Sequence, residues 1–404
     1  MPFAQLVIGP PGAGKSTYCN GMQQFMGAIG RKCSVVNLDP ANDMTSYEAA
    51  VDVRELVTLE SIMGNNDSQG QNKAYNEEEE QDEAPGLGPN GGVLYALEEV
   101  EQNFDWLHDR LKDLGDDYVL FDCPGQVELF THHDSLRKVF MKLAKEAGYR
   151  ASHLWFHNAA LVVVNLVDSY CLTLPSLYVS TLLLCLRSML QLDMTQLNVL
   201  TKIDNLAKYP PLPFNLDFYT EVQDLSYLLP LLEQESPMFA RGKFTALNEA
   251  IVNLVEEFGL VGFETLAVED KKSMMTLLHA IDRAGGYAFG AAEGANDTVW
   301  QVAVREGGVG KMDVRDVQER WIDQREEWDE IERKQWEEEQ RKREEEWKNG
   351  QVAGDDGDLQ PMMGSSGVKV RRRGEQNIKT TDKPAKADEG KQHGQENKPP
   401  PAPQ

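Results

Sequence analysis

Long apolar runs are missing from this chain of 404 residues. No stretch approaches the roughly 20 apolar residues that a membrane helix needs. Residues 1–5 also lack the basic region that precedes the apolar core of a signal peptide. We therefore expect a cytoplasmic protein with no membrane partner.

Cysteine is scarce, and its spacing carries no site signal. The chain has five cysteines, and none of them forms a C-x-x-C pair. Neither a zinc site nor a framework of disulfides is therefore expected. This pattern suits the reducing cytosol or nucleus. The cysteines are Cys19, Cys33, Cys123, Cys171 and Cys185.

Positive charge is in deficit. The chain has 40 Lys and Arg against 66 Asp and Glu, which gives a formal net charge of -26. A surface of this sign repels a phosphate backbone, so no direct nucleic-acid partner is expected. The acidity is concentrated in residues 77–83 and in the C-terminal third. The first two-thirds therefore keep enough apolar residues for a full core.

The strongest positive signal is the glycine-rich stretch 9–16, which reads G-P-P-G-A-G-K-S. It matches the phosphate-binding pattern G-x-x-x-x-G-K-[ST], with an apolar run before it and a helical pattern after it. Glycines let backbone N–H groups approach phosphate oxygens. Lys15 would reach the β- and γ-phosphates, and Ser16 would bind Mg²⁺. The alternative is a glycine-rich turn with a chance lysine. The candidate phosphate-binding residues are Gly9, Gly12, Ala13, Gly14, Lys15, Ser16, Thr17 and Gly125.

Two aspartates follow apolar runs that are typical of buried strands. Asp39 closes the run 33–38, and Asp122 closes the run 118–121. Carboxylates at the ends of parallel strands face the ligand crevice. Asp122 is therefore a candidate Mg²⁺ anchor. Asp39 is a candidate for Mg²⁺ or for the attacking water, and its alternative is a simple strand-end turn or a helix cap. Together with Ser16, these aspartates form the candidate metal site.

Three polar or flexible residues follow Asp122. The backbone N–H of Gly125 can approach a γ-phosphate because no side chain blocks it. The amide of Gln126 can both donate and accept, so it can orient water. Glu128 could polarise that water or cap the next helix, and both interpretations remain open.

A third strand-end motif indicates which base is bound. Residues 201–204 read T-K-I-D directly after an apolar run. The Asp204 carboxylate can accept both N1–H and the 2-amino group of guanine, whereas adenine offers an acceptor there. Losing such a contact costs about 1–3 kcal/mol per group. The stem of Lys202 can lie over the base. A loop at 267–269 would close over the base, with Ala267 offering a backbone N–H to the 6-oxo group. A chance match is the alternative for Thr201, Lys202 and Asp204.

The alternation of strand and helix patterns predicts an α/β protein of the P-loop NTPase class. We expect a doubly wound, mostly parallel sheet with helices on both faces, over residues 1–290. An acidic, flexible insertion is predicted at 64–87. Residues 88–92 after it read as a stiff loop that presents Asn90, although most G-P-N sequences are plain turns. A single helix is predicted at 93–114.

Beyond residue 290 the pattern changes. A linker is predicted at 291–312, a charged helix at 313–348 and a disordered tail at 349–404. The charged helix carries Val317, Trp321, Trp328 and Ile331 near 3.5-residue spacing. It reads as a solvated helix with a partly buried stripe, or alternatively as a partner-binding helix.

Together, the motifs at 9–16, 37–42, 88–90, 122–129 and 201–204 resemble those of the GPN-loop GTPases. The resemblance implies Mg²⁺-dependent GTP hydrolysis by a homodimer, or by a heterodimer with another family member. It also implies that Gly88, Pro89 and Asn90 reach into the partner's site, where Asn90 contacts the phosphates. Family members are implicated in assembly and nuclear import of RNA polymerase II, and of III. Polymerase subunits or assembly factors are thus expected partners, with shuttling from the cytoplasm to the nucleus.

Three functions follow from these motifs. The first is a GTPase switch, in which water attacks the γ-phosphate in line while Gln126, with Asp39 or Glu128, positions it. The second is a P-loop kinase for a nucleotide or small molecule, although no arginine-rich lid stands out between 122 and 290. The third is a scaffold that binds nucleotide only for stability and recruits partners through 313–348.

Overall fold

A computed structural model describes six stretches of the chain. Predictions for the insertion 64–87, the segment 151–160, which looks inserted before a core strand, and the linker 291–312 lie outside the described residues. So does nearly all of the tail predicted from residue 349. The described stretches are 3–42, 45–63, 88–146, 161–235, 244–285 and 314–350.

The centre of the molecule is a sheet of seven parallel strands. The strands are Ala4–Ile8 (β1), Cys33–Asn37 (β2), Ala49–Asp52 (β3), Tyr118–Asp122 (β4), Leu161–Asp168 (β5), Gln196–Thr201 (β6) and Phe263–Leu266 (β7). Their order across the sheet is β3-β2-β4-β1-β5-β6-β7. The later strands β5, β6 and β7 thus lie on one side of β1, and β4, β2 and β3 lie on the other, which confirms the predicted doubly wound fold.

Helices surround this sheet. In chain order they are Lys15–Ala28 (α1), Leu59–Met63 (α2), Pro89–Gln102 (α3), Phe104–Asp113 (α4), Glu128–Thr131 (α5), Ser135–Glu146 (α6), Pro175–Leu192 (α7), Leu216–Glu221 (α8), Leu229–Glu235 (α9), Thr245–Phe258 (α10), Lys271–Ala284 (α11), Val314–Gln318 (α12) and Arg325–Gly350 (α13). No helix among these described residues is long and apolar enough to cross a membrane.

Strand β1 shows why both faces of the sheet need helices. All five of its residues are buried, and successive side chains point to opposite faces. Leu6 and Ile8 pack in one apolar cluster with residues of α3, α4 and α6. Val7 packs in a second cluster with residues of α1 and α11. An apolar run of this kind is stable only when it is covered on both sides.

Strand β3 was not predicted. It has four residues at the edge of the sheet and pairs with β2 through a register shift between Val35 and Val36. A run this short shows no clear alternation, so its sequence gives little signal. Polar side chains fix its end, where Asn37 Nδ2 donates to Asp52 Oδ1 at 3.1 Å.

The predicted loop at 88–92 and the predicted single helix at 93–114 were both wrong in detail. Helix α3 begins at Pro89, because the fixed φ of proline suits the first helical position. Asn90 therefore lies in the first turn of a helix. The helix then breaks at Asn103, whose φ of -97° and ψ of 38° leave the helical region, and α4 begins at Phe104.

The charged C-terminal helix starts against the body of the protein. Val317 and Trp321 are only 5% and 8% exposed, and they join an apolar cluster that includes residues of α7, α8 and α10. A π-helical turn, Glu319–Asp323, separates α12 from α13. Farther along, Trp336 is 62% exposed. The buried part of the predicted stripe is thus confined to its beginning.

Candidate nucleotide-binding site

The candidate residues meet at the carboxyl edge of the sheet. The loop 9–16 follows β1, Asp39 lies two residues beyond β2, and Asp122 is the last residue of β4. Thr201 is the last residue of β6. Since β2, β4, β1, β5 and β6 are consecutive parallel neighbours, their ends form one continuous crevice.

The loop 9–16 has a backbone that requires glycine. Gly9, Gly12 and Gly14 have φ values of 143°, 80° and 93°. A Cβ added at Gly9 would lie 2.2 Å from the carbonyl oxygen of Leu166 on the neighbouring strand β5. The loop therefore packs directly on the sheet before α1 begins at Lys15. Such a turn directs backbone N–H groups toward an anion at the helix N-terminus.

Lys15 lies folded over this loop. Its Nζ donates to the carbonyl oxygens of Gly9 at 3.1 Å and Pro10 at 3.3 Å. Burial lowers the pKa of Lys15, and the carboxylates of Asp122 and Asp39 oppose that shift. An ammonium group in this position can exchange its carbonyl partners for phosphate oxygens, which bind it more strongly. Thr17, predicted to bind phosphate, is exposed in the first turn of α1.

Asp122 has one carboxylate oxygen held and one without a partner. Its Oδ2 accepts a hydrogen bond from Tyr47 Oη at 2.7 Å. Its Oδ1 is buried and has no hydrogen-bond partner among the described residues. Burial raises the pKa of Asp122, while the hydroxyls of Tyr47 and Ser16 and the ammonium of Lys15 oppose the rise. A buried, unpaired carboxylate oxygen is costly unless a ligand completes it.

Asp39 makes the strand-end turn that was the alternative to a metal role. Its Oδ1 accepts the backbone N–H of Ala41 at 2.9 Å. Its charge also acts on Lys15 and Asp122. Asp39 thus forms a turn at the end of β2 and lies close enough to Lys15 and Asp122 to affect their pKa values. Its part in metal binding stays a prediction.

The oxygens of this corner fit Mg²⁺. Mg²⁺ is usually held by one or two carboxylates together with substrate phosphates and water. The unpaired Oδ1 of Asp122 and the Ser16 hydroxyl, which accepts from Asn42 Nδ2 at 3.3 Å, supply ligands of this kind. Asp39 is the third candidate. Ser16 and Asp122 therefore fit the predicted ion beside a bound phosphate, and Asp39 stays a predicted third ligand.

Gly125 and Gln126 lie against the loop 9–16. A Cβ at Gly125 would lie 3.0 Å from Lys15 Nζ and 3.1 Å from Pro11 Cα, so only glycine allows this approach without displacement. Gln126 Oε1 is buried without a hydrogen-bond partner among the described residues. Its amide is therefore able to accept from a water molecule.

Glu128 is the first residue of α5 and is exposed. No side-chain hydrogen bond caps α5, so the helix-cap interpretation of Glu128 is not seen here. The interpretation that Glu128 polarises water stays a prediction.

The motif 201–204 is tied directly to the loop 9–16. Thr201 Oγ1 lies 2.8 Å from the Ala13 carbonyl oxygen and 3.1 Å from that of Val167. Lys202 Nζ donates to the Gly12 carbonyl oxygen at 2.7 Å. Lys202 also has a left-handed backbone, with a φ of 59°, which is uncommon outside glycine and typical of functional sites.

Asp168 is a site residue that the sequence reasoning missed. It ends β5 and accepts from Lys202 Nζ at 2.6 Å. The available signal was the one that identified Asp39 and Asp122, a carboxylate at the end of an apolar strand. This ion pair holds the stem of Lys202 between β5 and the loop 9–16, where a base could lie on the stem.

Asp204 stands at the start of the 3₁₀ turn Ile203–Lys208. Its carboxylate makes no hydrogen bond or ion pair with the rest of the described chain. Its backbone carbonyl, by contrast, accepts from Arg325 Nη1 at 3.0 Å. A half-buried carboxylate with a fixed backbone and unused oxygens can accept two adjacent N–H groups from a ligand.

The structure does not support the role predicted for the N–H of Ala267. This group donates to Ser273 Oγ at 3.0 Å and is buried, because Ser273 begins the packing of α11 against the loop. A base would therefore have to meet a neighbouring N–H of the same loop.

Asn90, in the first turn of α3, is exposed together with Gly88 and Pro89. Within the described stretches no hydrogen bond joins Asn90 to the loop 9–16. The predicted contact of Asn90 with phosphates in a partner's site stays a prediction.

The site combines a strand, a glycine loop with a folded lysine, and a helix with a carboxylate at a strand end and a T-K-x-D turn. These features define a P-loop nucleotide-binding protein. A GTPase from Pyrococcus abyssi, solved in the apo form, has the same fold, with a TM-score of 0.50, 21% identity and coverage of 71% of this chain and 98% of that one.

Sequence comparison then gives the family. The family model described as "Conserved hypothetical ATP binding protein" matches residues 7–77 and 73–287. GPN-loop GTPase 2 of Schizosaccharomyces pombe is 50% identical over 332 residues, which cover 82% of this chain and 95% of that protein. GPN-loop GTPase 2 of Saccharomyces cerevisiae is 49% identical over 335 residues, covering 82% and 88%. GPN-loop GTPase QQT1 of Arabidopsis thaliana is 42% identical, covering 81% and 99%. The chain belongs to the GPN-loop GTPase family, as its motifs predicted.

Proposed function

We propose that this protein binds GTP with Mg²⁺ and hydrolyses it. The observation that carries the proposal is the direct tie between the two ends of the site. Lys202, two residues before Asp204, donates from Nζ to the Gly12 carbonyl oxygen at 2.7 Å. Thr201 Oγ1 lies 2.8 Å from the Ala13 carbonyl oxygen. One nucleotide can therefore meet both the phosphate loop and the base-reading carboxylate. The names of the relatives, GPN-loop GTPases, support the same activity.

The residues of the crevice fit in-line attack of water on the γ-phosphate. Lys15 and the N–H groups of the loop 9–16 would neutralise charge as it develops on the phosphate oxygens. Gln126 Oε1, buried and unpaired among the described residues, would accept from the attacking water and orient it. Bound Mg²⁺ supplies further neutralisation of phosphate charge. Asp39 or Glu128 would assist in holding the water.

Calorimetry with Mg²⁺ present tests the binding half of this proposal. The wild-type protein should prefer GTP to ATP. Lys15→Ala should weaken GTP binding by about 10- to 100-fold, since it removes charge-assisted hydrogen bonds to phosphate. Lys32→Ala is the matched control, because Lys32 is 82% exposed and pairs with Asp117 outside the crevice. Equal GTP affinity for Lys15→Ala and the wild type would refute the phosphate site.

Asp204→Asn tests the base contact. An amide can donate where the carboxylate could only accept, so the variant should lose affinity for GTP and gain affinity for xanthosine triphosphate, whose 2-oxo group accepts. A loss for both nucleotides together would argue against a direct base contact.

Turnover of GTP without any added acceptor would exclude the kinase alternative.

We also propose that the protein acts as a dimeric switch in assembly and nuclear import of RNA polymerase II, and of III, through a homodimer or a heterodimer with another family member. The family resemblance supports this role, and so does the exposure of Asn90 at the start of α3, where a partner's phosphates could reach it. Light scattering with a non-hydrolysable GTP analogue should show a dimer that Asn90→Ala weakens. Depletion of the protein should leave polymerase subunits in the cytoplasm, and unchanged nuclear polymerase would refute the role.

A further inference from the structure

The beginning of the charged C-terminal helix packs beside the turn that carries Asp204. Trp321 and Val317 lie in the same apolar cluster as Ile203 and Leu206, the buried residues of that turn. Val317 and Trp321, the helix side of this contact, lie outside the stretch 7–287 that the family model covers. The predicted charged helix is therefore packed against the base end of the site.

Polar contacts support the start of this helix. Gln318 Oε1 accepts the backbone N–H of Leu216 at 3.0 Å. The guanidinium of Arg320 lies 4.3 Å from the ring centroid of Trp321 and pairs with Asp329 at 2.8 Å. The Gln318 bond ties the helix start to α8, and the Arg320 contacts stabilise the C-terminal segment itself.

Arg325 is the contact that reaches the site itself. Its Nη1 donates to the backbone carbonyl oxygen of Asp204 at 3.0 Å, and its Nε lies 3.8 Å from Asp329 Oδ2. The pair with Asp329 is long and weak, whereas the hydrogen bond from Arg325 holds the backbone of the residue that would read the base. A short 3₁₀ turn has poor internal hydrogen-bond geometry, so an external donor matters more for its position.

We propose that Arg325 is a positioning residue for guanine recognition. It acts through the Asp204 carbonyl and makes no contact with the base. The proposal rests on the proposed binding of GTP, in which the Asp204 carboxylate accepts N1–H and the 2-amino group together. Two such bonds form at once only when the carboxylate lies in the plane of the base, so a small rotation of the turn weakens one of them.

The test compares GTP with inosine triphosphate, which keeps N1–H and lacks the 2-amino group. Dissociation constants for both are measured by calorimetry on the full chain, for the wild type, Arg325→Ala and Arg325→Lys. We expect the wild type to favour GTP by about 10-fold or more, and Arg325→Ala to reduce this ratio to about 3-fold or less. Arg325→Lys can still donate to the carbonyl, so it should recover part of the ratio.

Arg333→Ala is the matched control. Arg333 lies on the same helix, is exposed and pairs only weakly with Glu337, at 3.9 Å. Its removal should leave both dissociation constants unchanged. Thermal midpoints without nucleotide show whether any variant is merely less stable.

Two results would overturn the proposal. If Arg325→Ala changes both affinities by the same factor, or lowers only the thermal midpoint, Arg325 is a structural contact and does not position Asp204. If the wild type itself does not prefer GTP to inosine triphosphate or ATP, the base contact of the proposed function fails as well. The second result appears in the wild type and the first only in the variant, so the two failures are distinguishable.

Discussion

Replacing Gly9 by alanine should damage the protein more than the same change elsewhere in the phosphate loop. Gly9 has a φ of 143°, and an added Cβ would lie 2.2 Å from the Leu166 carbonyl oxygen and 3.1 Å from its carbonyl carbon. The obstacle is the backbone of a central strand and cannot rotate away. A strained backbone costs about 1–3 kcal/mol, and forced overpacking costs about 1–3 kcal/mol more. We therefore expect Gly9→Ala to lose about 2–6 kcal/mol of stability.

Two other glycines separate these terms. Gly12 has a φ of 80° and nothing within 4 Å of an added Cβ, so Gly12→Ala should show the backbone cost alone. Gly27 is exposed within α1 with the same open space, and Gly27→Ala should stabilise the protein by about 0.5–1 kcal/mol. Urea unfolding followed by circular dichroism gives all three values. If Gly9→Ala is no less stable than Gly12→Ala, the loop does not pack on β5 as described.

Three further changes probe the site and its support. Tyr47→Phe removes the hydrogen bond to Asp122, so it should lower stability by about 1–3 kcal/mol and raise the Mg²⁺ concentration needed to retain nucleotide; an unchanged Mg²⁺ titration would contradict this. Burial alone would raise the pKa of Asp52, but hydrogen bonds led by those from Arg54 outweigh it and hold the pKa below its usual value of 3.8. The stability that ionised Asp52 contributes is present above pH 3.8. It is lost as the pH falls through the lower pKa that Asp52 has in the folded protein. Asp52→Asn should therefore have a lower thermal midpoint at pH 7, with the gap closing in strong acid, and a gap that stays constant with pH would refute the assignment. Gln126→Leu should keep GTP affinity within about threefold and slow hydrolysis by about 100-fold, a factor typical of a lost positioning group; equal turnover would favour the scaffold alternative.

Local sequence patterns were enough to predict most of the sheet and the phosphate loop. Helix α7 begins with such a local signal, because Pro175 suits the first helical position. Strands β1 and β4 were marked by unbroken apolar runs at residues 6–8 and 118–121. Four-residue β3 is too short to show a clear pattern, so it went unseen.

Contacts between distant residues were beyond the same reasoning. Arg325 and Asp204 are separated by 121 positions, and nothing near either residue indicates the other. Asp168 and Lys202 lie at the ends of neighbouring strands, and their pairing follows only from the strand order. The break at Asn103 arises inside a stretch whose apolar spacing fits one continuous helix. Side-chain direction and strand order, which a single sequence does not specify, decide these features.

The hydrogen bonds from Thr201 and Lys202 to the phosphate loop have a consequence for the strength of nucleotide binding. The phosphate loop and the turn at 201–204 form the two walls of the crevice. They are already joined in the folded chain, because Thr201 bonds Ala13 and Lys202 bonds Gly12. A ligand does not have to draw them together, so the loss of conformational freedom that such closure requires does not oppose association. The separation of the walls is also fixed, which selects ligands by the length between base and terminal phosphate. Any movement that a departing γ-phosphate causes in the phosphate loop would be transmitted to the turn at 201–204 through the side chains of Thr201 and Lys202.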